Sequence, residues 1–316
     1  MDVLNQLFAA FKVSANVFHN GQYCGSWAIN TSGTHYMNFH VVSHGRCYLT
    51  LPSAERESKY QHDKHGECAQ KQNRIIELVQ GDVVLFPRDS EHVISDDVVP
   101  SVVVNAAASQ NYASGIQPSA TGLVCGYFSH HHPLVASVTA HLPSVIIIKH
   151  QTVANSASGL NYLLAALLDE SKQPNKGSAL IMGRIAEAIL AIIFREHLPA
   201  DNGVLAATAH PKLGAAMAAI HSEPDKKWTV EMLAQQCFMS RAGFNELFKS
   251  VLQQAPMEYV TQWRLGLAYR MLADENVTTL HAALACGYEN ESSFSKAFKR
   301  ILGVSPGAVR ALGEQQ

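Results

Sequence analysis

The chain has 316 residues, 47% of them hydrophobic and 16% charged, with a formal net charge of −2 at neutral pH. That length and apolar content predict two folded domains with sizeable cores and exclude a disordered chain. The six cysteines form no Cys-x-x-Cys pair, which argues against a disulfide framework and a structural zinc knuckle, and no segment has the ~20 apolar residues of a membrane span.

Residues 1–11 lack the basic start and long apolar run of a secretory leader, so a cytoplasmic location is the expectation. Residues 1–12 read as a short amphipathic helix. From about residue 16 to 148 the texture changes to short β-prone runs separated by turn residues. The runs are 27–29, 39–42, 47–51, 75–79, 83–86, 92–95, 102–104 and 123–128. Many short strands at this spacing predict a sandwich or small barrel. Residues 53–72 and 110–120 read as exposed loops.

Within this region Gly81-Asp82, an apolar run, Pro87, His92 and Asp96 form one tract. It resembles the second motif of cupin barrels: a glycine, five residues, a proline, and a histidine five further on. Asp89 stands where that family has a glycine. The paired histidines and glutamate of the first cupin motif are not cleanly present; His35, His40 and His44 lie in that neighbourhood. The resemblance implies a cupin-like domain over residues 1–150.

Three kinds of input to such a domain stay open. Apolar walls with a few polar groups suit a small organic ligand. His40 and His92, with Cys125 near them, suit a metal ion such as zinc or iron, against the plainer reading of barrel histidines satisfied by backbone carbonyls. Cys24, Cys47, Cys68 and Cys125 suit an oxidant sensor if they combine thiolate character with access; the plainer reading is that they are small buried hydrophobes. His130-His131-His132 read as a solvated turn, because neighbouring side chains at a strand end point in different directions.

Two helices are expected between residues 155 and 198. Leu160, Leu163, Leu164, Leu167 and Leu168 make one stripe, and Ile181, Ile185, Ala188, Ile189 and Ile192 another. The second face is broadened by Leu190, Ile193 and Phe194, wide for a helix packed on one side. Residues 151–198 are therefore expected both to cover the barrel and to form a dimer contact. Residues 199–209 read as a linker, and 210–316 as a separate all-α domain.

That last domain contains one pattern written twice. Phe244, Phe248, Lys249, Leu252 and Pro256 recur fifty residues later as Phe294, Phe298, Lys299, Leu302 and Pro306, and Thr229-Val230 matches Thr279-Leu280 in the same register. Each copy reads as helix, turn, helix. Ser240 is placed to cap one second helix, and Gly287 supplies the left-handed residue of the other turn. Residues 256–272 fit one longer helix between the copies. Two rigidly joined helix-turn-helix units suit two successive major-groove faces of DNA.

The tract Gly287-Tyr288-Glu289-Asn290-Glu291-Ser292-Ser293-Phe294-Ser295-Lys296-Ala297-Phe298-Lys299-Arg300, followed by Gly303-Val304-Ser305-Pro306, strongly resembles the signature of AraC/XylS-type transcription regulators. Trp228-Thr229-Val230 and Met239-Ser240-Arg241 resemble their first unit. Val309 stands where the family usually has an aromatic residue, and Glu246 where a basic one is common. Such regulators often carry a cupin-like sensor, and Cys24-Gly25-Ser26-Trp27 and Cys125-Gly126-Tyr127-Phe128 are similar to a cupin subfamily attached to them. The implied fold is multidomain α+β: a cupin-like sandwich or barrel with trailing helices, then a double helix-turn-helix domain.

Outward positions on the two recognition helices are Arg241, Ala242, Asn245 and Glu246, then Glu291, Ser292, Ser295 and Lys296. Arg and Lys pair with guanine, Asn with adenine, and Glu accepts from cytosine. Lys249, Lys299 and Arg300 are better placed for phosphates, and Ser240 starts the first of these helices. The expectation is a cytoplasmic, sequence-specific transcription regulator, an activator by resemblance. Its partners would be duplex DNA, RNA polymerase, a small-molecule or oxidant effector and a second copy of the chain. The alternative is a cupin-type metal-dependent enzyme with an accessory helical domain.

Overall fold

The computed structural model describes residues 13–52, 73–99, 109–110, 115–129, 142–151, 159–173, 175–196 and 203–313, with Phe8, Tyr112, Val135 and Thr139. The expectations for residues 1–12, 53–72 and 102–104, for Cys68 and for His130-His131-His132 fall outside these residues.

Among the described residues ten strands follow in order: β1 (Ser14–Tyr23), β2 (Ala28–Ile29), β3 (Met37–His44), β4 (Arg46–Leu51), β5 (Arg74–Val79), β6 (Val83–Phe86), β7 (Val93–Ser95), β8 (Ser109–Gln110), β9 (Thr121–Ser129) and β10 (Ile146–Ile148). They form two antiparallel sheets, one ordered β10-β6-β3-β9-β1-β8 and the other β2-β7-β4-β5. The core between them joins Val42, Val84, Phe86, Leu123 and Cys125 of the first sheet to Ile29, Cys47, Leu49, Leu78 and Ile94 of the second.

The strand-by-strand reading of the sequence did not isolate β8, β10 or the longest of the three, the ten-residue β1. Its Ser-Ala-Asn-Val-Phe-His-Asn-Gly-Gln-Tyr run has no clean alternation, because a bulge between Val17 and His19 shifts the register against β9.

Helices α1 (Gly159–Lys172) and α2 (Ser178–Glu196) cover the outer face of the six-stranded sheet. Leu167, Ala186, Ile189, Leu190 and Ile193 meet Phe39, Val41, Val83, Leu85 and Phe128 there. Being covered on both faces, β3 and β6 are buried at every position. The buried stripe of α2 runs through Met182, Ala186, Ile189, Leu190 and Ile193. It is rotated from the expected one, and Ile181 stands exposed, because the sheet selects the face that meets it.

The second compact unit gathers residues 194–313 with Val13, Val135 and Leu142. Its helices are α3 (Gly203–Ala209), α4 (Gly214–Ser222), α5 (Val230–Gln236), α6 (Arg241–Leu252), α7 (Pro256–Asp274), α8 (Thr279–Ala285), α9 (Glu291–Leu302) and α10 (Pro306–Gly313). Residues 203–209, expected within a linker, are thus helical, and Val204, Ala206 and Ala207 are buried in the first helical core. A small-residue helix of this kind looks like loop sequence until a core claims it.

The duplicate is confirmed, but its register changes once. The second helices of the two units are offset by fifty residues. The first helices are offset by forty-nine: Thr229 caps α5 by accepting from Met232 N–H, and Thr278, not Thr279, caps α8 by accepting from His281 N–H. The extra residue lies in the second turn, between Tyr288 and Asn290. The shift buries Ala282 and Ala283 in place of Leu233 and Ala234, and leaves Leu280 and Leu284 about half exposed.

Each unit is filled by a pair of fully buried phenylalanines: Phe244 and Phe248, 5.5 Å apart, and Phe294 and Phe298, 5.3 Å apart. Removing any one of these rings should cost about 3 to 5 kcal/mol of unfolding free energy.

In the first core His221 is buried against Trp263, with ring centroids 4.0 Å apart, and its Nε2 lies 2.6 Å from the Tyr259 hydroxyl. Burial pushes its pKa down to about 4. The unfolded imidazole titrates near 6.5, so between pH 6.5 and about 4 the unfolded chain binds a proton that the native one refuses. Stability therefore falls as pH falls through that window, by up to about 1.4 kcal/mol per pH unit. Urea unfolding followed by tryptophan fluorescence should show this decline, and His221→Gln should remove the share of it that His221 contributes, leaving that of the buried sandwich histidines.

Candidate nucleic-acid interface and sensor site

The two proposed recognition helices start with side-chain caps. The Ser240 hydroxyl accepts from Gly243 N–H at 3.2 Å, and the Asn290 side-chain oxygen accepts from Ser293 N–H at 2.8 Å. They end at left-handed residues, Gln253 with φ 57° and Gly303 with φ 75°. Caps and inward phenylalanines fix the rotation of each helix, and so decide which residues face water.

On α6 these are Arg241, Ala242, Glu246 and Lys249, with Asn245 half-buried beside them. On α9 they are Glu291, Ser292, Lys296, Lys299 and Arg300, with Ser295 half-buried. Every candidate DNA-contact position thus lies on the outward side of its helix. The two faces differ in charge. Arg241 is engaged by Glu231 of α5, its Nε 3.0 Å from Oε1, and Glu246 adds a negative charge. On α9, Ser295, Lys296, Lys299 and Arg300 line an open groove with Ser305 and Pro306 at the start of the next helix. Lys299 and Arg300 in this groove suit a phosphate backbone, with Lys296 beside them placed for a base edge.

The sequence reading missed two features here. Glu231 orients Arg241, and Phe238, 99% exposed at the tip of the first turn, has φ 53° where the second copy has Gly287. An aromatic residue in the left-handed region is a strained choice.

In the sandwich, His40 and His92 do converge. His40 Nε2 lies 3.3 Å from His92 Nε2, and the Thr31 hydroxyl lies 3.0 and 2.9 Å from these atoms. His92 Nδ1 donates to the Ser90 carbonyl at 2.7 Å, so its Nε2 is an acceptor. The consistent network is then His40 Nε2–H to Thr31 Oγ1, and Thr31 O–H to His92 Nε2. This leaves His40 Nδ1, buried and without a partner among the described residues, as a bare acceptor. Burial holds His40 well below the usual imidazole range, with His92 and His19 adding to the effect; burial also lowers His92, against its bond to Ser90. The cluster is neutral at pH 7.

His19 and His40 both pair with Cys125 across the sheet, so the three side chains lie in one row on the inner face. Two residues further along, Tyr127 stacks on Tyr36 at 4.6 Å and on Phe18 at 6.3 Å, the outer rings half-exposed. The loop carrying Thr31 and Tyr36 is held by Asp89, whose carboxylate accepts from Asn38 Nδ2 at 2.7 Å and from His35 N–H at 2.6 Å. Asp89 has φ 53°, which explains the cupin family's glycine at that position and what this chain gains by replacing it.

A resident metal fits poorly. The convergent donors are two imidazoles and a hydroxyl, and among the described residues no group of three His, Cys, Asp or Glu could hold an ion.

The cysteines divide. Cys47 and Cys125 are fully buried in the sandwich core. Burial pushes the Cys47 thiol up to about 12, Asp82 adding to it, and raises Cys125 further, with Cys47 adding to it. Neither has thiolate character. Cys24 is half-buried. Cys237 and Cys286 pack in the two helical cores.

Comparison with known proteins gives matches along the whole chain. A family model described as Cupin matches residues 2–199, and one described as Helix-turn-helix domain matches residues 233–311. The chain is 28% identical to the HTH-type transcriptional regulator AlkR of Acinetobacter baylyi, covering 97% of this chain and 98% of that one. It is 29% identical to a putative AraC-like transcription regulator of Streptomyces lividans, covering 98% of each. It is 26% identical to the RCS-specific HTH-type transcriptional activator RclR of Escherichia coli, covering 98% and 97%.

The groove and the paired Arg241 face generate a prediction about DNA. Lys296→Ala should change base preference in one half of the bound site. Lys249→Ala should weaken binding evenly across sequences and lower the slope of log affinity against log salt by about one. Fluorescence anisotropy across a salt series and a panel of point-changed duplexes reads both; equal losses on all sequences for both variants would defeat the assignment.

Proposed function

Because the chain belongs to the cupin family and carries an AraC-type helix-turn-helix domain behind its sandwich, we propose that it is a cytoplasmic, homodimeric activator controlled by a small organic effector. The chain is a DNA-binding transcription regulator, and regulator relatives along its whole length overturn the enzyme alternative.

One observation carries the choice of effector: the neutral His40–Thr31–His92 network beside the half-exposed rings of Phe18, Tyr36 and Tyr127. A flat molecule with a hydroxyl or amine suits it, stacking on the rings and donating to the bare nitrogen of His40. A thiol sensor at Cys47 or Cys125 is disfavoured by burial, and a resident metal by the donor set. Activation follows from the family resemblance, with RNA polymerase as the partner at the promoter.

Dimerisation is supported by apolar side chains that the sheet leaves uncovered on the two covering helices: Tyr162 at 80% exposure, Leu180 at 65% and Ile181 at 45%. Among the described residues no helix is long and apolar enough to cross a membrane, which agrees with the cytoplasmic reading.

A thermal-shift screen of small hydroxylated and amino aromatics tests the effector reading. A true effector should raise the unfolding midpoint of the wild-type chain, alter its DNA affinity, and lose about tenfold or more in affinity on His40→Leu, through the loss of one buried hydrogen bond. If no compound does so while mild oxidant changes DNA binding through Cys24, the organic-effector reading fails. A monomer by light scattering at micromolar concentration, with and without DNA, would remove the dimer.

A further inference from the structure

The two helix-turn-helix units have separate cores, and α7 serves both. Tyr259, Val260 and Trp263 belong to the first core; Leu265, Ala268 and Leu272 belong to the second. Between Trp263 and Leu265 stands Arg264, at the point where the helix passes from one core to the other.

Its side chain reaches into neither core. Nε donates to the Pro224 carbonyl at 2.6 Å and one terminal nitrogen donates to the Lys226 carbonyl at 2.5 Å. These carbonyls belong to the segment 223–228 that leads into the first unit. That segment is tightly closed on itself: Trp228 N–H donates to the Lys226 carbonyl, Trp228 Nε1 donates to the Glu223 carbonyl at 2.9 Å, and the Lys226 ammonium sits 4.2 Å above the Trp228 ring. Trp228 itself is anchored in the first core.

The second unit holds the same segment from its other side. Gly287, in the second turn, lies so close that a Cβ there would stand 2.6 Å from the Asp225 carbonyl oxygen. Lys227 pairs with Glu289 at 2.7 Å, and Glu289 lies within the stretch of the second turn that makes it one residue longer than the first. The thiol of Cys286, beside that turn, donates back to the Arg264 carbonyl at 3.1 Å.

We infer that residues 223–228, gripped by Arg264 and closed on by the turn at Gly287 and Glu289, form a polar clasp that sets the relative placement of α6 and α9 and thereby the spacing of the two DNA boxes this chain accepts. The reasoning is mechanical. A single shared helix fixes an axis but bends and twists, and each core would stay filled through a small rotation of one unit against the other. The two directional hydrogen bonds from Arg264 to the carbonyls of 224 and 226, with the Asp225 carbonyl between them packed against Gly287, do not tolerate that rotation. Arg264 is thus a positioning residue for recognition: it touches no base, yet it selects which pairs of boxes are reached at once.

The test is selection by the full-length chain from a duplex library with two randomised boxes, the length between them varied around the ~10 bp of one helical turn. Wild type should enrich one sharp spacing. Arg264→Gln and Gly287→Ala should keep the base preference of each box, broaden or shift the spacing, and lose about tenfold in affinity at the wild-type spacing while losing less at neighbouring ones. The exposed pair gives a second arm in which misfolding is not an issue. Lys227→Glu alone and Glu289→Lys alone should each soften the spacing preference a few-fold, and the double exchange should restore it.

A folded Arg264→Gln chain that keeps the sharp wild-type spacing overturns the inference. So does a loss that is equal at every spacing, which would make the contact structural only, or a double exchange that fails to restore what the single changes removed. A wild-type chain that enriches no sequence would instead count against DNA recognition itself.

Discussion

The structure of the DNA-binding half depends on one helix being needed twice. Helix α7 supplies a wall to each of two apolar cores, and it does so with consecutive turns of a single rod. Each core is closed by its own pair of buried phenylalanines and by a capped recognition helix. Outward-facing side chains on α6 and α9 follow from that inward packing, since a helix with one face pinned has no freedom in the other. What the apolar cores leave undetermined is the angle between them, and the polar contacts around residues 223–228 supply that.

Charge is distributed unevenly over this frame. The last 112 residues hold eleven Lys and Arg against ten Asp and Glu, so affinity from bulk charge is modest. The cations that matter are local: Lys296, Lys299 and Arg300 in one groove at the second unit, against an Arg241 already engaged by Glu231 at the first. The outward face of the second unit therefore carries more unpaired positive charge than that of the first.

The sandwich follows the opposite economy, in which polar groups are kept neutral and inside. His19, His40 and His92 are all depressed, chiefly by burial, and the Thr31 hydroxyl links two of them. A charged imidazole would carry a large desolvation penalty in this position. The same burial that silences the imidazoles silences Cys47 and Cys125, since a thiol far from water and next to another thiol resists ionisation. Asp89 shows how the loop above is organised: a left-handed position that glycine would fill without strain is given to a carboxylate, which uses it to hold His35 and Asn38.

The double helix-turn-helix, the cap at Ser240, the candidate outward positions on both recognition helices and the sandwich-or-barrel class of the first half could be read from the sequence alone. These are local: helical periodicity, a hydroxyl cap and a fifty-residue repeat can be read one element at a time. Packing was needed to show which face of α2 is buried, that residues 203–209 are helical, that Thr278 rather than Thr279 caps α8, that Asn290 caps α9, and that Thr31 stands between His40 and His92. It alone brought Arg264 to the carbonyls of 224 and 226. The physical reason is common to all of them. Each depends on a contact with a partner distant in sequence, and a residue's spacing from its neighbours carries no record of what the fold will place opposite it.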